Sequence, residues 1–265
     1  CLHCFMSFIS FLTDFGIDLE YVSVCKAVML SIHPGITIID ISHTIPPYDI
    51  HHAAFMLRNF VRFSPIGVHV AVIDPGVGTQ RRGIAIETKR GDFLVGPDNG
   101  VLSWAAEALI LKKAVVLENR EYMLDHISSS FHGRDIFAPV AAHLSKGVQL
   151  EMLGAIIEQQ SLCAVPYPEV KKDAQVVTGG ILRIDRFGNI QTTIDAQIIG
   201  ERKEVRIKIG EHELGIPVVR TFGEVSTGEF LLYEDSDGLL TLARNRGHAA
   251  TTLGVKSTYP VKISF

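Results

Sequence analysis

The sequence reads as two domains of different class, an α/β domain followed by a small antiparallel β-barrel. Three observations carry this. Strand-like apolar runs alternate with helical periodicity up to about residue 150. From Gly179 onward, short β-rich runs are joined by turns holding Gly and Asp. Between the two textures, residues 158–178 hold Gln, Pro and Lys without a period. The expected boundaries are 6–160 for the first domain, 161–178 for a linker and 179–265 for the second.

Residues 7–12 form an apolar first strand that runs into Thr13-Asp14-Phe15-Gly16. Asp18 is placed to cap a helix on which Tyr21, Val22, Cys25, Val28, Met29 and Ile32 recur at helical spacing. His33-Pro34-Gly35 stops it. Residues 36–41 predict a second strand of buried type. Asp49 caps a second helix, with Ala53, Met56, Leu57, Phe60 and Val61 on one face. Residues 68–73, 83–88 and 92–95 predict further strands, and 101–109 and 134–145 further helices. Repeated βαβ units predict a mostly parallel, Rossmann-like sheet with helices on both faces. In the second domain, hairpins pair 181–184 with 191–194, 205–209 with 212–217, and 230–233 with 239–242. Gly210-Glu211 and Asp235-Ser236-Asp237-Gly238 supply hairpin turns, and 248–253 a short helix.

Hydrophobic residues make up 47% of the chain and charged residues 20%, which excludes a disordered protein. Lys and Arg number 25 against 29 Asp and Glu, for a net charge of −4. With no basic run, the chain is a poor nucleic-acid binder. No apolar run approaches the ~20 residues of a membrane span. Four cysteines do not make a disulfide framework. Cys1 and Cys4 form a CxxC without a second ligand pair at zinc spacing, and Cys25 and Cys163 stand alone. The opening apolar segment lacks the basic n-region of a signal peptide, and Met6 reads as the natural start. Reduced thiols and no signal predict the cytoplasm.

In an open α/β sheet, ligands bind beyond the carboxyl ends of the strands. Here the first strand is followed by Asp14. The third is followed by the run Asp74-Pro75-Gly76-Val77-Gly78-Thr79-Gln80-Arg81-Arg82, and the fifth by Pro97-Asp98-Asn99-Gly100. One such segment is ordinary turn chemistry. Three on one rim predict a site. Residues 131–139, FHGRDIFAP, place His132 and Arg134 at a helix entry, where free N–H groups favour polar ligands. Residues 185–189, DRFGN, hold a carboxylate, an aromatic ring and an amide in one hairpin turn.

The signatures GxxxxGK[ST], GxSxG and HExxH are absent, as is GxGxxG after the first strand. His51 and His52 point to different faces of their helix and make poor joint ligands. His43 and His69 read as hydrogen-bonded structural histidines. No metal is expected.

These segments together resemble one family. They are TDFG (13–16), Tyr48-Asp49, DPGVGTQRR (74–82), PDNG (97–100), FHGRDIFAP (131–139), DRFGN (185–189) and SDGLLTLARN (236–245). In this order they resemble the S-adenosylmethionine hydroxide adenosyltransferases, or S-adenosylmethionine hydrolases, relatives of fluorinase and chlorinase. The resemblance spans nearly the whole chain. Its most specific part is DPGVGT with two arginines, together with FHGRDIFAP.

The resemblance implies a homotrimer whose sites lie where one subunit's N-terminal domain meets the next subunit's C-terminal domain. It implies metal-free conversion of S-adenosylmethionine and water to adenosine and methionine, with no cofactor. The catalytic trio falls on Asp74, Arg81 and His132, and which of Asp74 and His132 takes the proton stays open. Asp14 falls where the ribose hydroxyls are held, and Tyr48 where an aromatic ring covers the substrate. Gly133, Asp185, Phe187, Asn189, Phe222, Ser236 and Asn245 complete the implied substrate contacts. Among these, Phe222 faces adenine and Ser236 the methionine carboxylate. The fluorinase has Arg after this Ser, where this chain has Asp237; Arg244 or Arg186 are the candidate replacements. Halogenases carry Tyr at the position of Asp74 and a small hydroxyl residue at that of Val77. A carboxylate repels halide, so water is the expected nucleophile. Two alternatives remain: a non-catalytic binding module, which would not need the trio, and an unrelated metal hydrolase, which chelator sensitivity would reveal.

Overall fold

The computed structural model describes residues 8–255 and 259–265, so the readings of Cys1, Cys4 and Met6 fall outside the described residues. Two compact units meet in sequence at Val165 and Pro166.

The first unit contains β1 (Phe8–Thr13), α1 (Tyr21–Ile32), β2 (Thr37–Ser42), α2 (Ile50–Phe63) and β3 (Val68–Val72). It continues with β4 (Gly83–Thr88), β5 (Phe93–Pro97), α3 (Ser103–Ala108), β6 (Leu111–Val116) and α4 (Ala138–Ser145). The strand order is β2-β1-β3-β5-β4-β6. β1 runs parallel to β2 and β3, and β3 to β5. β4 is antiparallel to both β5 and β6. The sheet is therefore mixed, not built from βαβ units throughout. Only a short turn joins β4 to β5, and a parallel pair needs a crossover of about a dozen residues or more.

Side-chain alternation places a core on each face of this sheet. Val68, Val70 and Val72 of β3 pack with Cys25 and Met29 of α1 and Val140 and Ala141 of α4. Ala71 and Ile73 point the other way, to Leu57 and Val61 of α2 and Ala105 of α3. Asp49 caps α2, accepting from the His52 amide at 2.9 Å.

Three expectations for this unit are corrected, and one strand is added. Asp18 caps nothing: α1 begins at Tyr21 after Glu20, which makes no side-chain cap, because burial of Val22, Cys25 and Met29 sets the start. Among the described residues β2 is a half-exposed edge strand bonded to β1 alone, not a buried one. β6 was not anticipated, because Lys112 and Lys113 interrupt its apolar run; they pair with Glu87 and Glu151. The helix expected over 134–145 opens instead with a π-helical turn, Gly133–Phe137.

The second unit contains β7 (Lys171–Lys172), β8 (Val176–Ile184), β9 (Ile190–Asp195), β10 (Glu204–Ile209) and β11 (His212–Pro217). It continues with β12 (Phe230–Glu234), β13 (Leu239–Arg244), α5 (Ala249–Leu253) and β14 (Pro260–Ser264). The order β11-β10-β14-β8-β9-β13-β12 is antiparallel throughout, and β7 pairs with β8. The Val219 amide donates to the Leu232 carbonyl at 2.9 Å, so the end strands nearly close a barrel around Val177, Ile190, Ile207, Leu242 and Ile263. Within the stretch read as a linker lie β7 and the first residues of β8. β14 went unread because it opens on Pro and alternates with Lys and Ser. Its buried Val261 and Ile263 bridge β10 and β8.

Candidate active site

The carboxyl end of β3 leads into a tight loop that returns Arg81 to Asp74. Thr79 shapes the loop: its Oγ1 donates to the Gly76 carbonyl at 2.7 Å and accepts from the Arg81 amide at 3.3 Å. Gly78 has φ +75, and a Cβ there would stand 2.1 Å from the Ser129 carbonyl oxygen, so only glycine fits.

Arg81 then spans two partners. Its Nε donates to Asp74 Oδ1 at 3.0 Å and its Nη2 to Asp74 Oδ2. The same Nη2 lies 3.0 Å from His132 Nδ1. A guanidinium only donates, so Nδ1 carries a lone pair and the imidazole is neutral with its proton on Nε2. Burial, then Arg81, pushes the His132 pKa below its ordinary value. Burial pushes the Asp74 carboxyl up, against the pull of Arg81 and His132. The outcome is a desolvated carboxylate of raised basicity, oriented by a fixed cation.

Asp14 and Tyr48 are also brought together: the Tyr48 amide donates to Asp14 Oδ2 at 2.9 Å. Tyr48 has φ +68 and is 70% exposed, an uncommon backbone state for a bulky residue. Gly133 is buried, and a Cβ there would lie 2.8 Å from the Phe15 ring, so its place is set by packing. The PDNG segment acts as a brace. Asp98 is ion-paired with Arg82 and accepts from the Cys163 amide at 2.9 Å, while Asn99 Nδ2 donates to the Ile73 carbonyl at 2.7 Å. His69 and His43 are buried and bonded to Ser10 and Thr13.

In the second unit, a cavity of about 410 Å³ is lined by Asp185, Asn189, Phe222 and Ser236. Asp185 organises its turn, accepting from the Phe187 and Asn189 amides and from Asn189 Nδ2. Phe222 meets Tyr233 with ring centroids 5.1 Å apart. Phe187 is 64% exposed with Arg186 stacked over it, 5.2 Å from the ring centroid. Asn245 donates to the Val225 carbonyl at 2.8 Å and holds a loop. Asp237 accepts from Gln191 Nε2 at 2.9 Å. Arg244 is engaged by the Gly228 carbonyl and Thr252 Oγ1.

Sequence reading missed the wall of this cavity. Arg183, Gln191, Thr241 and Tyr233 are successive register partners on β8, β9, β13 and β12, and all four line it. Their only sequence signal is polar side chains inside strands that are otherwise apolar.

Comparison with known proteins agrees with this geometry. Residues 9–154 match the model of the SAM hydroxide adenosyltransferase N-terminal domain, and 179–262 that of the C-terminal domain. The chain belongs to the SAM hydroxide adenosyltransferase family. It is 42% identical to an (R)-S-adenosyl-L-methionine hydrolase of Salinispora tropica, over 93% of this chain and 94% of that one. It is 38% identical to the (R)-S-adenosyl-L-methionine hydrolase of Thermus thermophilus, over 96% and 98%. An Actinoplanes fluorinase is 28% identical over 97% of each chain. An uncharacterised conserved protein of Thermotoga maritima superposes with a TM-score of 0.89 at 38% identity, covering 97% of this chain and 100% of that one. No described helix is long and apolar enough to cross a membrane.

Proposed function

We propose that the chain hydrolyses S-adenosyl-L-methionine to adenosine and L-methionine by in-line attack of water on ribose C5′. The observation that carries this reading is Arg81 holding both oxygens of Asp74 and the Nδ1 of His132. The water oxygen bonds to C5′ as the C5′–S bond breaks, and its electron pair leaves on sulfur. Methionine departs as a neutral thioether, so no acid is needed on the leaving group. Asp74 takes the proton, because the Nδ1 lone pair of His132 is committed to Arg81. General-base assistance of this kind is typically worth ~10²–10⁴-fold. Orientation of the water supplies a further ~7–11 kcal/mol. No metal or cofactor takes part.

Asp14 offers acceptor oxygens to the ribose hydroxyls, and Tyr48 faces the sulfonium through a cation–π contact of ~0.5–2 kcal/mol. The cavity of the second unit takes the rest of the substrate. Phe222 and Tyr233 offer an aromatic wall for adenine. The amino-acid end finds guanidiniums (Arg183, Arg220) for its carboxylate and Asp185 and Asp235 for its ammonium. These arginines, not Arg186 or Arg244, take the place of the Arg that Asp237 replaces.

The oligomer is a homotrimer, in which one subunit's trio works with the next subunit's C-terminal cavity. The N-terminal sheet is Rossmann-like, with Asp14 and Asp74 at the carboxyl ends of β1 and β3. With Cys25 and Cys163 as free thiols, the enzyme works in the cytoplasm.

The test is purified protein with S-adenosylmethionine and EDTA in chloride-free buffer, with products resolved by chromatography. Adenosine and methionine from wild type, and neither from Asp74→Ala or His132→Ala, is the expected result. Substrate retained without turnover overturns the reading in favour of a binding module.

A further inference from the structure

In the wall of the second unit's cavity, a neutral amide joins a cation to two carboxylates. Gln191 is 4% exposed and sits on β9, with Arg183 of β8 and Thr241 of β13 as register partners. Its Oε1 accepts from Arg183 Nε at 2.8 Å. Its Nε2 donates to Asp235 Oδ2 at 2.7 Å and to Asp237 Oδ2 at 2.9 Å. The reverse orientation would set N–H against guanidinium and oxygen against carboxylate, so the charges fix which way the amide lies.

The acidic end of this chain of bonds is itself held. Asp235 Oδ2 also accepts from Thr241 Oγ1 at 2.6 Å. Its Oδ1 accepts from the Asp237 amide at 2.8 Å and the Leu239 amide at 3.1 Å. The anchor therefore belongs to the turn between β12 and β13, and Gln191 carries its position across β9 to Arg183. A guanidinium recognises a carboxylate as a planar fork, so its usefulness depends on how its plane is held. An arginine that must be ordered at each encounter spends side-chain entropy on binding.

We infer that Gln191 is a positioning residue for substrate recognition. Anchored on Asp235 and Asp237, it holds the Arg183 guanidinium ready for the carboxylate of the amino-acid end. The inference rests on the reading that this cavity takes that end. Asp237 then acts as a support for the arginine and not as a ligand of the substrate.

The experiment uses the full-length enzyme and its Gln191→Leu and Gln191→Asn variants. It reads kcat, KM and thermal stability with S-adenosylmethionine and with the analogue lacking the carboxylate. Gln191→Leu should raise KM for S-adenosylmethionine about ten- to hundredfold, the worth of one hydrogen bond to a charged group, with the loss falling mainly in KM. KM for the analogue should move by less than about threefold, because it has no carboxylate to lose. Gln191→Asn keeps an amide one methylene shorter, which cannot reach Arg183 and both aspartates at once, and should shift KM the same way by less. A merely structural role would raise both KM values alike. A folded Gln191→Leu enzyme with wild-type KM for S-adenosylmethionine, or with an equal rise for both substrates, overturns the inference. If that variant does not fold, the same outcomes in Gln191→Asn overturn it. Wild type that releases no adenosine would instead refute the hydrolytic reading. Calorimetric binding of L-methionine, and of the amine it yields by loss of its carboxylate, then decides the role of Gln191. A preference for methionine in wild type that the variant loses supports that role, and any other result overturns it.

Discussion

Replacing Arg81 by Lys keeps the charge and removes the fork. Arg81 uses Nε and Nη2 on the two oxygens of Asp74, and Nη2 again on His132. A lysine ammonium is a compact charge on a flexible stem and cannot hold this geometry. Arg81→Lys therefore gives up at least one of the paired bonds to Asp74. A hydrogen bond between charged groups is worth about 1.5–3 kcal/mol. At about 1.36 kcal/mol per decade, that is roughly 10- to 150-fold in kcat. The two side chains are only 9% and 6% exposed, so water replaces the lost bond poorly. Loss of the His132 contact moves the expected fall toward the upper end of that range. The assay is initial adenosine release across a range of S-adenosylmethionine concentrations, with thermal stability measured alongside. KM should move less than kcat, because Arg81 holds the nucleophile side. A kcat within about threefold of wild type in a folded variant would refute the argument that the paired geometry matters.

The rate should rise with pH on the acid side, since Asp74 must be ionised and His132 neutral. Burial lifts Asp74 above its ordinary value of 3.8, while burial and Arg81 lower His132, so the acid limb of kcat/KM should be centred above 3.8; a limb centred below 3.8 contradicts this. Asp92 is fully buried, and the bonds from His69 and Arg90 outweigh burial and hold its carboxyl well below the usual range. Its contribution is present above about pH 4 and lost as pH falls further. Asp92→Asn should cost about 3–5 kcal/mol in denaturant unfolding while the folded fraction keeps its kcat. Gly78→Ala meets the Ser129 carbonyl at 2.1 Å in a positive-φ position, so it should lower kcat more than it raises KM; a wild-type rate would show that the loop yields. Arg220→Ala should raise KM for S-adenosylmethionine about fivefold, and leave KM unchanged for the analogue lacking the carboxylate; an equal rise for both would remove Arg220 from the carboxylate.

Local patterns were legible where one element carries its own signal. α2 shows its cap in Asp49 and its stripe in Ala53, Leu57 and Val61. The hairpin of β10 and β11 shows its alternation on both sides of Gly210. From the residues alone the trio was legible only as two motifs, DPGVGTQRR and FHGRDIFAP; that Asp74, Arg81 and His132 act together was implied by the family resemblance. Elements whose pattern is mixed, such as β6 with its lysines and β14 with its proline, were not legible. Their identity comes from the strands they lie between.

The sequence by itself determined the two-domain texture, the helix faces, the turns and the residue types available for chemistry. These follow from periodicity and backbone preference within a few residues. The tertiary structure alone decided that β4 reverses, that β2 is an edge, and that four polar residues from β8, β9, β12 and β13 line one cavity. It alone placed Arg81 on His132, 51 residues away, with the His132 Nδ1 facing the guanidinium that also holds Asp74. Such contacts depend on how whole strands and loops pack, and no local window of sequence carries that information.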